Sequence, residues 1–292
     1  MKSSTVTIDL GPETREVKHI EPRFQAVGRI LYLGFPRFIP WSLQEPAVES
    51  WAAAEGFEIW AVNEDSVKPG LLKEGPEAFM KDLSNLVQAL LPELGPKFVL
   101  VDSSFGPGTF LAWELRPFLA GLLIINVHLF NAPDFEQTDL AQKIRKRMAY
   151  LGETYGKQDY EAILTLLPDF MYPTGGPSGL EETKATYKEA LEAASPNFWE
   201  MAMLQPSYYF EHITSMFTSL QVWPIESPPV VLAASDQAPL VVVGEAMQRL
   251  QQIMPGSKLE FIPNSKWSWH LEGLLMSKVV QSVRRGPKVI CL

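Results

Sequence analysis

The chain has 292 residues, enough for one large α/β domain with an inserted subdomain or for two ordinary domains. Hydrophobic residues make up 46% and charged residues 20%, which is typical of a well-packed globular protein. The formal net charge of -9 argues against a nucleic-acid partner, because binding to a phosphate backbone needs clustered Lys and Arg.

Cysteine usage and apolar runs indicate the compartment. The single cysteine, Cys291, excludes a disulfide within the chain and favours a reducing environment. The first residues lack the long apolar core of a secretion signal, and no run reaches the roughly 18 apolar residues that a membrane span needs. We therefore expect a soluble cytoplasmic protein without a membrane partner.

In chain order, the first part of the sequence alternates between strand and helix patterns. Predicted strands are 29–33, 57–62, 98–101 and 121–126, and predicted helices are 46–55, 77–94 and 109–115. Two of the helices end at Gly56 and Gly95. The strands are continuous apolar runs, as in parallel sheets that are buried on both faces. The alternation predicts an α/β fold, a mostly parallel, doubly wound sheet with helices on both faces.

The middle of the chain has a different pattern, which is helical, aromatic and Met-rich. The sheet pattern resumes after Pro228-Pro229, with predicted strands 230–234 and 258–262 and predicted helices 244–254 and 272–284. We therefore predict one α/β domain, formed by residues 1–128 and 227–292, with a helical insertion at 129–226.

The segment Asp102-Ser-Ser-Phe-Gly106, between a strong strand and a strong helix, carries the clearest chemistry. Such a strand–turn–helix junction lifts one serine hydroxyl to the end of a central strand, where an acyl group could be attacked. The turn is sterically tight, so small residues normally flank the serine. A carboxylate at Asp102 is unfavourable for packing, and it would oppose a developing oxyanion if it pointed inward.

These elements, in this order, resemble the α/β-hydrolase superfamily from about residue 24 to 285. Leu33-Gly34-Phe35-Pro36 is similar to the family's oxyanion loop, residues 98–126 to its nucleophile elbow and following strand, and the insertion to its helical cap. The resemblance implies that Ser104 is the nucleophile and that the backbone N–H groups of Phe35 and Phe105 hold the oxyanion. Gly34 and Asp102 are then expected to line the pocket.

The remaining positions of the family's triad are occupied unusually. The acid position aligns with Ala238, and Asp236 lies two residues earlier. The histidine position aligns with Trp267, and His270 lies three residues later. Trp267 cannot accept a proton at neutral pH, so it is expected to form a pocket wall. A working triad of Ser104, His270 and Asp236 would need shifted turns.

Two further histidines and the absence of cofactor patterns complete the site prediction. His128 follows a central strand, where α/β sheets gather their site residues, and His212 lies in the cap. Both are predicted pocket residues, although such histidines are more often structural. There is no His-x-x-x-His, cysteine pair or Gly-rich phosphate loop, so we predict no metal and no cofactor.

Three functions are compatible with these residues. The first is a cofactor-free, non-hydrolytic enzyme that cyclises, isomerises or eliminates on a small, apolar, carbonyl-bearing metabolite, plausibly in secondary metabolism. The second is a serine esterase using Ser104, His270 and Asp236. The third is a non-catalytic receptor or carrier for a small hydrophobic ligand. A homodimer is compatible with all three.

Overall fold

The computed structural model of the chain describes residues 1–34, 38–103, 107–125, 139–170, 176–208, 221–235, 251–262 and 280. Within these residues, eight strands form one sheet in the order β1-β2-β4-β3-β5-β6-β7-β8. The strands are β1 (Lys2–Asp9), β2 (Thr14–Glu21), β3 (Gly28–Leu33), β4 (Phe57–Val62), β5 (Phe98–Ser103), β6 (Leu119–Ile125), β7 (Val230–Ser235) and β8 (Lys258–Ile262).

The sheet is parallel from β4 to β8 and ends in an antiparallel hairpin at one edge. β3 pairs in parallel with β4 and β5, and the parallel pairing continues through β6, β7 and β8. β1 pairs antiparallel with β2, and β2 pairs antiparallel with β4. The sequence patterns did not predict the β1–β2 hairpin, because most of its residues are exposed or half-buried and form no apolar run.

Seven α-helices lie in the described part of the chain. They are α1 (Trp41–Glu55), α2 (Pro76–Leu94), α3 (Pro107–Leu115), α4 (Asp139–Gly156), α5 (Tyr160–Phe170), α6 (Gly176–Glu192) and α7 (Pro196–Tyr208). The predicted start of the first helix at Pro46 is wrong, because α1 begins at Trp41 and contains Pro46. Proline is preferred at the first position of a helix, which made Pro46 look like the start.

The two faces of the sheet are covered by different helices. α2 and α3 pack on one face, where Leu31, Leu33 and Leu100 are buried. α1 packs on the other face, with Val99 and Val101 of β5 and with Val280. Because both faces are covered, the central strands are almost wholly apolar, and the predicted α/β class with a mostly parallel, doubly wound sheet is confirmed.

Helices α4 to α7 fall within the predicted insertion, and their sequence position places them between β6 and β7. The boundaries of the insertion at 129 and 226 stay a prediction. Of the predicted helices 244–254 and 272–284, residues 251–253 and Val280 are helical, Met254 forms a bend just after the helix, and the others lie outside the described residues. None of the helices described here is long and apolar enough to cross a membrane.

Candidate active site

β5 ends at Ser103 and α3 begins at Pro107, so residues 104–106 connect a central strand directly to a helix. β5 lies between β3 and β6 in the middle of the sheet, and all its residues are buried. The predicted strand–turn–helix junction is therefore confirmed on both of its sides. In open α/β sheets, the carboxyl ends of central strands are where ligands bind.

Asp102, at the end of β5, is directed toward helix α3. Its side chain is fully buried, and its Oδ2 accepts hydrogen bonds from the backbone N–H of Thr109 at 2.8 Å and from the Thr109 hydroxyl at 2.9 Å. Thr109 is the third residue of α3, where a backbone N–H has no partner within the helix. Asp102 thus satisfies this N–H and places an acceptor at the positive end of the helix dipole.

Gly108 makes the space that Asp102 occupies. A Cβ atom built on Gly108 would lie 2.7 Å from the Cβ and 2.8 Å from the Cγ of Asp102, and 2.9 Å from Cδ1 of Leu33. Real Cβ atoms do not approach that closely, so the helix must carry glycine here. The carboxylate that sequence analysis judged unfavourable for packing is therefore accommodated by a glycine in the following helix.

Gly34 continues β3 into the loop that resembles an oxyanion loop. Its N–H donates to the carbonyl of Val62 at 2.9 Å. A Cβ on Gly34 would lie 2.5 Å from Cε1 of Tyr32 and 3.0 Å from Cζ3 of Trp41. The two aromatic rings therefore require glycine at the point where the chain leaves the sheet.

Buried polar contacts join the end of β3 to the end of β5 and to α1. The Ser103 hydroxyl donates to the Leu33 carbonyl at 3.0 Å, and the Tyr32 hydroxyl donates to Oε1 of Gln44 at 3.4 Å. Burial raises the pKa of Tyr32 to about 12, and the nearby charge of Asp102 adds to this effect. Tyr32 is therefore neutral at physiological pH and acts as a hydrogen-bond donor.

Glu64 is a buried acid at the carboxyl end of β4. Its side chain is 3% exposed, and its Oε1 accepts a hydrogen bond from the backbone N–H of Trp41 at 2.8 Å. Its Oε2 is buried without a hydrogen-bond partner. Burial raises the pKa of Glu64 to about 7, although the Trp41 N–H favours the charged form. This acid connects the loop after β4 to the first residue of α1.

The insertion docks on the same loop through helix α7. The Asn197 side chain lies 3.3 Å from the carbonyl oxygens of both Glu64 and Val67 and donates to them. Lys73 and Glu200 form an ion pair at 3.3 Å beside this contact. The helical insertion is therefore attached to the loop at the carboxyl end of β4.

Among the described residues, no group of three or more His, Cys, Asp and Glu is arranged to hold a metal ion. The buried acids Asp102 and Glu64 instead bond to backbone N–H groups of Thr109 and Trp41.

Two of the ten predicted site residues, Gly34 and Asp102, lie in the described part of the chain. Both are at the carboxyl edge of the sheet, at the ends of neighbouring strands, since Leu33 pairs with Asp102. The other predicted residues lie outside the described residues, and their roles stay predictions: Phe35, Ser104, Phe105, His128, His212, Asp236, Trp267 and His270.

Sequence reasoning missed three polar residues that organise this edge, namely Gln44, Glu64 and Thr109. Glu64 follows a buried strand at the edge where α/β sheets gather their sites, which was a usable signal. Thr109 had a weaker signal, a hydroxyl in the first turn after an acid-containing strand. Gln44 had none, because its position inside a helix gives no hint of the loop carbonyl of Ile39 that it binds at 2.9 Å.

No family model and no curated protein matches the chain. Solved structures match over nearly its whole length. Bromoperoxidase from Bacillus anthracis is 14% identical, with a TM-score of 0.67 and 97% of this chain and 100% of that chain covered. 2-Hydroxy-6-oxo-6-phenylhexa-2,4-dienoate hydrolase from Rhodococcus sp. strain RHA1 is 16% identical, with a TM-score of 0.68 and 98% and 99% covered. A thermophilic esterase from Thermogutta terrifontis is 16% identical, with a TM-score of 0.62 and 97% and 100% covered. The strand order, the elbow junction and these neighbours together show that the chain has the α/β-hydrolase fold.

Proposed function

We propose that the protein is an enzyme that acts at the carbonyl group of a small, largely apolar metabolite, in a pocket above Ser104. One observation carries this proposal, the strand–turn–helix junction between β5 and α3 at the centre of the sheet. A serine in the turn of such a junction is presented to a ligand at the carboxyl end of the strand. The aromatic and methionine-rich cap favours an apolar substrate.

Hydrolysis of an ester or a related acyl bond is the version that the described geometry favours. Besides the unusual triad positions at Trp267 and Ala238, one objection to a nucleophilic Ser104 was a charge at Asp102 that would oppose the oxyanion if it pointed inward. The Asp102 side chain is directed to Thr109, and its Oδ2 is occupied there by two hydrogen bonds. Structural neighbours such as the Thermogutta terrifontis esterase and the Bacillus subtilis carboxylesterase add to this support.

In this version, the Ser104 hydroxyl attacks the acyl carbon while its proton passes to His270, which Asp236 orients. The backbone N–H groups of Phe35 and Phe105 stabilise the oxyanion. The alcohol leaves with the proton from His270. A water molecule then releases the acid and regenerates the serine.

A second candidate is the non-hydrolytic enzyme that the triad positions suggest. Trp267 and Ala238 occupy the places of the family's histidine and acid, and neither side chain transfers protons. In this version the pocket holds a reactive conformation of the substrate, and Ser104 donates a hydrogen bond to its carbonyl without forming an acyl intermediate. Cyclisation, isomerisation and elimination fit this arrangement, and a role in secondary metabolism fits such chemistry.

Labelling and turnover decide between the candidates. The purified protein is treated with a fluorophosphonate probe and assayed with p-nitrophenyl esters of short and medium chain length. Hydrolysis predicts a probe adduct on Ser104 and a loss of turnover of at least about a thousandfold in Ser104→Ala. Ser84→Ala is the matched control, because Ser84 lies on the surface of α2 and bonds to Glu114.

The opposite outcomes are equally informative. The absence of both labelling and ester turnover rejects hydrolysis. Conversion of an apolar ketone, aldehyde or lactone into a product of the same mass, or of that mass less water, then supports the non-hydrolytic enzyme. Tight binding of such a compound without conversion supports a receptor or carrier and rejects both enzyme proposals. If hydrolysis holds, His270→Ala abolishes turnover, whereas His19→Ala, at a histidine of β2 that bonds to Glu58 and stacks on Trp60, does not.

The proposal retains the other expectations from the sequence. It places the enzyme in the cytoplasm, requires no cofactor, and allows a homodimer. Mass measurement of the native protein by light scattering tests the dimer.

A further inference from the structure

Two tyrosine hydroxyls from the cap meet one backbone carbonyl of the loop after β3. The carbonyl is that of Phe38, which follows Gly34 by four residues. Tyr155, in α4, donates to it at 2.9 Å, and Tyr187, in α6, donates to the same oxygen. The two hydroxyl oxygens are 3.0 Å apart. Two different cap helices therefore converge on a single atom of the core.

The number of hydroxyl protons limits how these three oxygen atoms can bond to one another. Three oxygen atoms are in mutual contact, but each tyrosine supplies one proton, so at most two of the three contacts are hydrogen bonds at one time. Either tyrosine alone can satisfy the Phe38 carbonyl. The Phe38 carbonyl loses both tyrosine donors only when both hydroxyls are removed.

Burial keeps both hydroxyls protonated. Tyr155 and Tyr187 are each 3% exposed. Burial raises the pKa of Tyr155 well above its ordinary value, and the neighbouring Tyr187 raises it further; burial likewise raises the pKa of Tyr187. Both side chains therefore remain hydrogen-bond donors at neutral pH.

The same stretch of loop is held at three neighbouring positions. Gln44 donates to the Ile39 carbonyl at 2.9 Å, and Glu64 accepts from the Trp41 N–H at 2.8 Å. Those two anchors come from the core, whereas the anchor at Phe38 comes from the cap. The Phe38 ring also packs against Tyr155, with ring centroids 5.1 Å apart. The seating of the cap and the path of the loop are therefore coupled at Phe38.

We propose that Tyr155 and Tyr187 are positioning residues, which anchor the loop after β3 at the Phe38 carbonyl and so support the oxyanion donor that the proposed function assigns to Phe35. This inference rests on the proposed function, in which the Phe35 N–H binds the substrate carbonyl oxygen. Phe35 precedes Phe38 by three residues in the same loop. A preorganised donor stabilises the transition state more than the bound substrate, so its displacement lowers kcat more than it changes KM.

The test compares Tyr155→Phe, Tyr187→Phe and the double variant with the wild type. The control is Tyr150→Phe, which removes a half-exposed hydroxyl from the same helix, α4. Hydrogen exchange of peptides covering 38–44 and of the cap helices is measured by mass spectrometry, and kcat and KM are measured with the p-nitrophenyl ester.

The proposal predicts a strongly non-additive result. Each single variant should change exchange at 38–44 by only about two- to threefold, since one hydroxyl remains. The double variant should raise exchange by about tenfold or more, in the loop and in the cap together, and lower kcat by about tenfold with KM within about threefold. An additive double variant, exchange equal to that of the Tyr150→Phe control, or a change in KM alone would overturn the proposal.

The two proposals fail separately. Hydrogen exchange needs no substrate, so a wild-type protein without ester turnover rejects hydrolysis while exchange still judges the positioning role. Should the double variant not fold, the single variants decide. Each must then exchange at 38–44 about two- to threefold faster than Tyr150→Phe, and equal exchange rejects the role.

Discussion

Single buried side chains hold the carboxyl edge of this sheet together, and the two acids there behave differently. Asp102 has both a backbone N–H and a hydroxyl on one oxygen. Glu64 has one N–H on Oε1 and no hydrogen-bond partner on Oε2. Burial raises the pKa of Glu64 to about 7, because the Trp41 N–H offsets only part of the cost of removing this carboxylate from water.

Glu64 should make stability fall with rising pH. Its pKa is higher in the folded protein than in the unfolded chain, so the folded state binds more protons between about pH 4.5 and 7. The stabilisation is present below about pH 4.5 and is lost as the pH rises through about 7, amounting to on the order of 3 kcal/mol. Glu64→Gln, which keeps the acceptor for Trp41, should abolish most of this pH dependence.

Urea denaturation at pH 5 and pH 8 measures the effect. Glu74→Gln, an exposed change in the neighbouring turn, is the control and should retain the wild-type pH dependence. Equal pH dependence in Glu64→Gln and the wild type would show that Glu64 does not titrate in this range.

At the scale of elements, β5 and α3 carry complementary residues where they meet. β5 has a carboxylate, Asp102, and α3 has a glycine, Gly108, beside it. The family-like turn normally carries a small residue where this chain has Asp102, and here the glycine at position 108 of the helix provides the room. The side chain then serves as a cap for the helix. Strand and helix are therefore adapted to each other, and changing one alone should be costly.

Gly108→Ala should lower the free energy of unfolding by about 1 to 3 kcal/mol, since its Cβ would overlap Asp102 and Leu33. Asp102→Gly should also be destabilising, because it removes the cap from Thr109. The double variant, Asp102→Gly with Gly108→Ala, should be more stable than the sum of the two losses predicts, since the first change clears the space for the second. Chemical denaturation of the wild type and the three variants measures this coupling. Strictly additive losses of stability would show that Asp102 and Gly108 do not compensate each other.

At the scale of the whole molecule, helices α4 to α7, which lie between β6 and β7 in sequence, share buried and partly buried hydrogen bonds with the rest of the described chain. Asn197 bonds to two carbonyls of the loop after β4, and Tyr155 and Tyr187 bond to the loop after β3. Phe198 of the cap is fully buried, next to Tyr155. Such contacts favour a cap that unfolds together with the core rather than as a separate unit.

Asn197→Ala should therefore lower the stability of the whole protein. Loss of its hydrogen bonds costs about 1 to 2 kcal/mol, which corresponds to a fall in Tm of about 2 to 4 °C per kcal/mol. Thermal unfolding is followed by far-ultraviolet circular dichroism and by tryptophan fluorescence, and both midpoints should fall equally. Lys184→Ala, at an exposed ion pair on α6, should leave both unchanged. A fall in one midpoint alone would show that cap and core unfold independently.

Much of the fold was readable from local patterns. The predicted strands at 57–62 and 258–262 coincide with β4 and β8, and the helices that end at Glu55 and Leu94 stop at Gly56 and Gly95 as predicted. These features depend on residues that are close in sequence or, for β4, on a strand that is almost wholly buried. The β1–β2 hairpin was missed, because an exposed edge strand has no such burial.

The sequence by itself determined the α/β class and the junction between β5 and α3, because the patterns of both elements are written in short contiguous stretches. Only the tertiary structure decided that Asp102 is directed to Thr109, that Glu64 holds Trp41, and that Tyr155 and Tyr187 meet at Phe38. These contacts join residues up to 149 positions apart. No periodicity or spacing encodes them, since they arise when the sheet brings its loops together and the cap packs over them.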